Sequence, residues 1–189
     1  MPENRTRTIA VIGSLGAVSV LLGLTHWGFI PWFGGVSLTI MHVPVIIGAI
    51  LEGPVAGLVI GLIFGIFSLV QAATAPLSPS DTLFTNPLIS VLPRLLIGPL
   101  AYLGYRLFAS LPRLGEVIGW GAAGVVGSLT NTVLVLLSLH LVAGFPAAAV
   151  VAVGVANGPL EAAVSAAITV PVVAALKRVI IGNRTGARL

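Results

Sequence analysis

Long apolar stretches, separated by short polar segments, dominate the pattern of the chain. They reach the roughly 17–25 residues that an α-helix needs to cross a bilayer, and they lack the polar–apolar alternation of membrane barrel strands. The pattern predicts six transmembrane helices, of which the second is short and the last is long enough to tilt or break. They cover approximately residues 8–25, 37–51, 54–73, 86–109, 117–141 and 146–176.

The composition excludes a soluble protein. Of the 189 residues, 57% are hydrophobic and only 7% are charged, against about 25% charged residues in soluble domains. A soluble fold of this size has too much surface to bury so many apolar side chains. A soluble enzyme, a nucleic-acid-binding protein and a disordered chain are therefore excluded. We predict an all-α integral membrane protein, a six-transmembrane-helix bundle that forms one domain over residues 1–189.

The basic residues gather in segments that six crossings would place on one side of the membrane. These segments precede the first predicted helix, join the fourth to the fifth, and follow the sixth. The positive-inside rule therefore predicts a multi-pass protein of the cell membrane with both termini in the cytoplasm. The segments hold eight of the nine basic residues: Arg5, Arg7, Arg106, Arg113, Lys177, Arg178, Arg184 and Arg188.

Three predicted helices each carry one strong polar group at a similar depth. At about 1.5 Å per residue, Arg94, Asn131 and Asn157 lie roughly 12–16 Å below the outer ends of their helices. Polar side chains are expensive inside a bilayer and for that reason are functional candidates. Their shared depth predicts a binding pocket in the outer half of the membrane, closed below by apolar packing.

Arg94 needs a partner, because an unpaired guanidinium in a membrane is costly. Glu161, one turn below Asn157, would give a purely structural ion pair. A carboxylate of a substrate would instead be held in bidentate fashion, and a substrate that displaces or shares the pair would satisfy both interpretations. Asn131 and Asn157 are open to a second interpretation as interhelical hydrogen-bonding groups.

Further candidates lie nearer the outer surface. His42 is on the second predicted helix and Gln71 is near the outer end of the third. Trp27 and Trp32, in the first outer loop, are either part of an interfacial aromatic belt or part of a lid over the pocket. The three histidines show no metal-ligand spacing, and the chain has no cysteine and no phosphate-binding or nucleophile motif. We therefore expect no metal, no cofactor, no catalytic residue and no ATP hydrolysis by this chain alone.

Small residues at four-residue spacing predict close helix contacts. Gly53, Gly57, Gly61 and Gly65 form such a stripe on the third predicted helix, where packing within the bundle is the favoured interpretation. The first predicted helix carries two overlapping small pairs in its cytoplasmic half, where a partner protein could dock instead. These pairs are Ala10 with Ser14 and Gly13 with Ala17.

Two stretches carry a family resemblance. They read LTIMHVPVIIGAILEGPVAGLVIGLIFGIFSLVQA (38–72) and LFTNPLISVLPRLLIGPLAYLGYRLF (83–108). Together with six short helices and an outward pocket, the chain resembles the S components of energy-coupling factor (ECF) vitamin transporters over nearly its whole length. The Asn-Pro-Leu-Ile-Ser-Val-Leu-Pro-Arg run, which contains Asn86 and Arg94, is most similar to the pantothenate-type members.

The resemblance implies capture of a vitamin from outside, not a chemical reaction. Such a component associates with a membrane scaffold subunit and two cytoplasmic ATPases, and it topples in the membrane to release the vitamin inside. Family members carry an Ala-xxx-Ala pair for scaffold docking, and the matching place here reads Ala10-xxx-Ser14, beside Gly13-xxx-Ala17. No nucleic acid is expected as a partner.

Pantothenate is the expected substrate, with Arg94 holding its carboxylate and Asn131 and Asn157 serving its hydroxyls and amide. Folate, cobalamin or riboflavin are alternative substrates within the same family. Alternatives of other classes are an intramembrane enzyme, a free-standing carrier and a structural subunit without a ligand. The predicted substrate-binding residues are Arg94, Asn131, Asn157, His42, Gln71, Glu161, Trp32 and Asn86.

Overall fold

The computed structural model describes residues 2–31, 37–76, 79–112 and 114–186. These form a helical bundle with one small β-hairpin. The helices are α1 (Pro2–Leu24), α2 (Val43–Glu52), α3 (Pro54–Thr74), α4 (Pro87–Ser90), α5 (Leu92–Ala109), α6 (Gly115–Ala143) and α7 (Ala147–Gly186), with a 3₁₀ helix over Pro79–Thr85. The hairpin pairs strand β1 (Phe29–Pro31) with strand β2 (Ser37–Thr39) in antiparallel register.

Five segments of the described chain are long and apolar enough to cross a membrane. They cover Arg5–Leu24, Pro54–Thr74, Pro87–Ala109, Gly115–Ala143 and Ala147–Arg178. Helix α2 has ten residues and is about 15 Å long, half the thickness of a bilayer core of about 30 Å. The prediction of an all-α membrane bundle is confirmed in this coarser form, with α2 as a short additional helix.

The start predicted for the second helix, at residue 37, is wrong. Residues 37–39 form strand β2, and α2 begins only at Val43. Pro44 explains the boundary, because proline lacks an N–H and is favoured in the first turn of a helix rather than in its interior. The apolar run could not reveal this, since a short apolar strand and a buried helix segment look alike in sequence.

The remaining helices differ from the predictions mainly at their ends. The predicted helix over 86–109 is divided into α4 and α5 at Val91, and Pro93 lies in the first turn of α5. Helix α7 stays a single helix through two internal prolines. Helix α1 begins earlier than residue 8, and α7 ends later than residue 176.

The short helix α2 lies at the centre of the bundle. All eight residues from Val43 to Ile50 are buried, and α2 contacts α1, α3, α5, α6 and α7. Gly53 separates it from α3 at a φ of 95°, a left-handed conformation that glycine adopts without strain. Because other helices surround α2 on all of these sides, its length does not have to match the thickness of the bilayer.

Gly57, Gly61 and Gly65 of the predicted stripe pack inside the bundle, whereas Gly53 lies in the turn before α3, where an added Cβ would meet no described atom within 4 Å. Gly57 faces Ala49 of α2 and Gly98 of α5, and Gly61 faces the backbone of Arg94. A side chain at these positions would separate α3 from α5. The stripe therefore fixes the height at which Arg94 enters the bundle.

Candidate functional site

Arg94 is buried in the first turns of α5, with 6% of its surface exposed. Its Nη1 donates a hydrogen bond to the carbonyl of Ile89 at 2.6 Å. The guanidinium carbon lies 5.5 Å from the ring centre of Phe64 and 5.2 Å from that of Phe84, within cation–π range of both rings. Because guanidinium has five N–H donors and the buried Nε has no partner in the described structure, donor capacity remains for a ligand.

His42 is a second buried polar group in this region. It lies directly before α2 and is fully buried. Neither ring nitrogen has a hydrogen-bond partner among the described residues. Gly61 of α3 packs against both the backbone of Arg94 and the side chain of Val45, so the turn of α2 that follows His42 lies at the height of Arg94. A buried polar group without a partner is costly, so a ligand that supplies one would recover that cost.

Asn131 lies on α6 at the level of His42. Gly127, one turn before Asn131, packs against Ile46 of α2 and Ala101 of α5. Helices α2 and α6 run in opposite directions. His42 lies one turn before Ile46 on α2, and Asn131 lies one turn after Gly127 on α6, so the two residues are at the same level. The Oδ1 atom of Asn131 is buried without a partner in the described structure.

Asn157 joins this level from α7. It is buried, and a Cβ at its neighbour Gly158 would lie 3.8 Å from the Cγ2 of Thr132. Asn157 is therefore next to the turn of α6 that carries Asn131. We name His42, Arg94, Asn131 and Asn157 the polar cluster; the structure brings these four predicted residues into one buried layer.

Glu161 is close to the polar cluster but is not the ion-pair partner of Arg94. Its Oε1 accepts from the backbone N–H of Thr39 at 2.8 Å, and its Oε2 accepts from the hydroxyl of Thr132 at 2.8 Å. The two ion pairs found among the described side chains involve other residues. Glu161 thus joins strand β2 to α6 and α7, and no carboxylate of the described residues pairs with Arg94.

This anchor gives a first prediction. Glu161→Ala should increase amide hydrogen exchange at Thr39 by about tenfold or more, because a hydrogen bond to a charged group contributes about 1.5–3 kcal/mol. Glu161→Gln, which keeps one acceptor oxygen, should have a smaller effect. The measurement is hydrogen exchange with mass spectrometry on the detergent-solubilised protein. Glu116→Ala is the matched control, since Glu116 pairs with Lys177 at an exposed site; equal exchange at Thr39 in both alanine variants would contradict the anchor.

Besides Glu161, two of the predicted residues that the structure describes are not part of the polar cluster. Gln71 is half-buried, and its Nε2 approaches the Gly23 carbonyl at 3.5 Å, a contact between α3 and α1. Asn86 caps α4, with its side chain accepting from the Leu88 N–H at 3.0 Å. Trp32 lies outside the described residues.

Sequence reasoning missed the groups that support the predicted ones. Phe64 and Phe84 come from α3 and from the 3₁₀ helix, twenty residues apart, and no periodicity joins them. Thr39 acts through its backbone N–H, which no residue pattern reveals. Thr132 could have been considered as a candidate, because it follows Asn131 directly in the sequence; in the structure it faces α7. The described residues contain no group of three or more His, Cys, Asp and Glu that could hold a metal.

A helical membrane bundle with a buried layer of incompletely bonded polar groups defines a membrane protein with an internal site for a small polar ligand. The sequence profile of the family "ECF transporter, substrate-specific component" matches residues 7–173. The chain therefore belongs to this family and is a multi-pass membrane protein. Because the family consists of transporter components, the interpretations as an intramembrane enzyme or as a ligand-free subunit lose their support.

Two curated relatives agree with the family. The pantothenic acid transporter PanT of Lactococcus lactis subsp. cremoris is 32% identical over 159 residues, which is 76% of this chain and 78% of the relative. The pantothenate transporter PanT of Leuconostoc mesenteroides subsp. mesenteroides is 32% identical over 142 residues, which is 72% of this chain and 70% of the relative. The predicted resemblance to pantothenate-type S components is thereby confirmed.

Proposed function

We propose that this chain captures pantothenate for an ECF-type importer in the cell membrane. The observation that carries the proposal is Arg94: a buried arginine, held between two aromatic rings, with no carboxylate partner among the described residues. Such a group suits a small anionic ligand. Two relatives named as pantothenate transporters make pantothenate the preferred anion.

The chemistry of pantothenate matches the polar cluster group by group. Arg94 can hold the carboxylate through two parallel N–H donors. The amide side chains of Asn131 and Asn157 each offer donors and an acceptor, which suits the two hydroxyls and the amide of the vitamin. His42 supplies one donor or acceptor according to its tautomer. The gem-dimethyl group of the vitamin would lie against the apolar surroundings of α2.

The proposed topology has six helices with both termini in the cytoplasm. Two features support it. Arg7, Arg106 and Lys177 gather at the end of the bundle where α2 turns into α3, as the positive-inside rule requires of a cytoplasmic end. The hairpin of β1 and β2 lies at the opposite end, where it follows the last turn of α1 and bonds to Glu161 through the N–H of Thr39.

We further propose a scaffold subunit and two ATPase subunits as partners, with toppling as the release step. The docking face is on α1, the least buried of the five long helices. Ala10, Gly13, Ser14 and Ala17 are all exposed on it. A Cβ added at Gly13 would meet no atom within 4 Å, so these small residues leave a smooth surface that packing within the chain does not use.

The docking face gives a second prediction. Ala10→Trp and Gly13→Trp should each abolish co-purification with the scaffold subunit, because an indole prevents the close helix approach that small residues permit. Pantothenate affinity should stay within about twofold of the wild type, since neither residue touches the polar cluster. Val133→Trp, at an exposed position of α6, is the matched control and should co-purify normally. Normal co-purification of the two α1 variants would refute the docking face.

The proposed substrate is tested by native mass spectrometry of the detergent-solubilised chain, titrated with pantothenate, folate, cobalamin and riboflavin. Tight one-to-one binding of pantothenate alone is the expected result. Tight binding of another vitamin would show that pantothenate is not the substrate, but the proposed class of transporter would be retained. Binding of none of the four would overturn vitamin capture by this chain.

A further inference from the structure

A cleft lies at the opposite end of the bundle from the β-hairpin. It has a volume of about 860 Å³ and shares no residue with the polar cluster. It opens between the start of α1, the turn that joins α2 to α3, and the last turn of α5. The residues of its wall that matter here are Arg7, Glu52, Gly53, Tyr102, Arg106 and Ser110.

The described side chains that line the cleft carry a net positive charge. Glu52 is the only acid among them, and its carboxylate already pairs with Arg7 at 2.7 Å and accepts from the hydroxyl of Thr8 at 2.7 Å. Arg106 donates to the hydroxyl of Tyr102 at 3.4 Å and forms no ion pair with any side chain that the structure describes. One arginine in the cleft is thus neutralised internally, and the other is available to an anion.

The other donors around Arg106 suit a phosphate. Tyr102 and Ser110, which both carry a hydroxyl, line the cleft. Gly53, the N-cap of the 21-residue helix α3, also lines the cleft, so the positive end of that helix dipole lies beside it. Guanidinium, hydroxyls and helix N–H groups are the donors that proteins use for phosphate oxygens.

The walls of the cleft continue into lipid-facing apolar surface. On α5, Leu103 and Leu107 are next to Arg106 and are largely exposed, Leu107 by 65%. A molecule with a phosphate in the cleft could therefore lay an apolar chain along α5.

From this arrangement we propose that the cleft binds the phosphate of an anionic phospholipid. A basic pocket between helices at the membrane boundary is a known way to recognise such head groups. Arg106 is the residue on which binding depends, while the paired Arg7 and Glu52 hold α1 and the α2–α3 turn in place as the walls of the site. This site is independent of the substrate proposal, because it uses no residue of the polar cluster.

The test is native mass spectrometry of the delipidated chain in detergent with added phosphatidylglycerol or, as the zwitterionic comparison, phosphatidylcholine. We expect one tightly bound phosphatidylglycerol and at least about tenfold weaker binding of phosphatidylcholine. Arg106→Gln should reduce phosphatidylglycerol binding about tenfold, the loss expected from one charge-assisted interaction. Arg178→Gln, at an exposed basic position of α7 outside the cleft, should leave binding unchanged. Thermal unfolding of both variants in detergent serves as the folding control.

Two results would overturn the proposal: equal loss of binding in the two variants, or equal binding of the two lipids. A competition arm separates the sources of the phosphate. If inorganic phosphate or glycerol phosphate displaces the lipid at similar concentration, the phosphate site stands but a soluble ligand replaces the lipid as its occupant. If neither displaces it, the acyl chains contribute and the lipid is upheld.

Discussion

Replacing Arg94 by methionine should lower the affinity for pantothenate about 100-fold. Methionine keeps the length and apolar character of the side chain but removes the charge and all donors. A hydrogen bond to a charged group contributes about 1.5–3 kcal/mol, and loss of a bidentate pair lies at the upper end or beyond. Isothermal titration of the detergent-solubilised protein measures the loss.

Arg94→Lys separates charge from geometry. Lysine keeps the positive charge, but it lacks the planar fork and the delocalised face that lies between Phe64 and Phe84. Its affinity for pantothenate should fall between those of the wild type and Arg94→Met. If charge alone mattered, Arg94→Lys would bind like the wild type.

A second ligand distinguishes contact with the carboxylate from a general effect on the fold. Pantothenol carries an alcohol where pantothenate carries its carboxylate. The wild type should bind pantothenol much more weakly than pantothenate, and Arg94→Met should bind the two with similar affinity, because the group that discriminates them is gone. An equal loss for both ligands would mean that Arg94 acts only through structure, for instance through its bond to the Ile89 carbonyl.

Three members of the polar cluster were predictable because they stand out from an apolar background; His42 was predicted nearer the outer surface, but it lies at the level of Asn131. Arg94, Asn131 and Asn157 are single strong polar groups in long apolar runs, and a fixed rise per residue places them at one depth. All three are buried, and the contacts between their helices place them at similar heights in the bundle. Helix length and composition alone thus predicted where the polar groups would meet, once the number and direction of the helices were assumed.

The partners of these groups were not predictable, because they depend on contacts that sequence spacing does not encode. Glu161 was a plausible partner for Arg94 by depth, yet it accepts from a backbone N–H of β2 and from Thr132 instead. Asn86 belongs to the most family-like stretch of the sequence, yet its side chain caps a helix. Depth restricts which residues can meet, whereas rotation of each helix about its axis decides which do.

The close approach of α3 and α5 should be the most sensitive structural feature of the bundle. A Cβ added at Gly98 would lie 2.5 Å from the Cα and 2.7 Å from the carbonyl oxygen of Gly57. Both are backbone atoms that cannot rotate away, so Gly98→Ala must force the helices apart. Overpacking of this kind costs about 1–3 kcal/mol.

Gly13→Ala is the matched control for Gly98→Ala. Both replace a glycine within a helix, and both gain the roughly 1 kcal/mol by which alanine exceeds glycine in helix propensity. Only Gly98 meets a clash, since a Cβ at Gly13 has no atom within 4 Å. Thermal unfolding in detergent should therefore show Gly13→Ala at or above the wild-type midpoint and Gly98→Ala clearly below it.

Gly98→Ala should also weaken pantothenate binding, because Arg94 lies one turn before Gly98 on α5 and its backbone rests against Gly61 of α3. Separating the two helices moves the guanidinium away from Phe64, which α3 carries. Stability and affinity should fall together in this variant, while Gly13→Ala should lower neither. If Gly98→Ala instead unfolded at the wild-type midpoint, the contact between Gly57 and Gly98 would not set the distance between α3 and α5. The position of Arg94 beside Phe64 would then have to depend on α2.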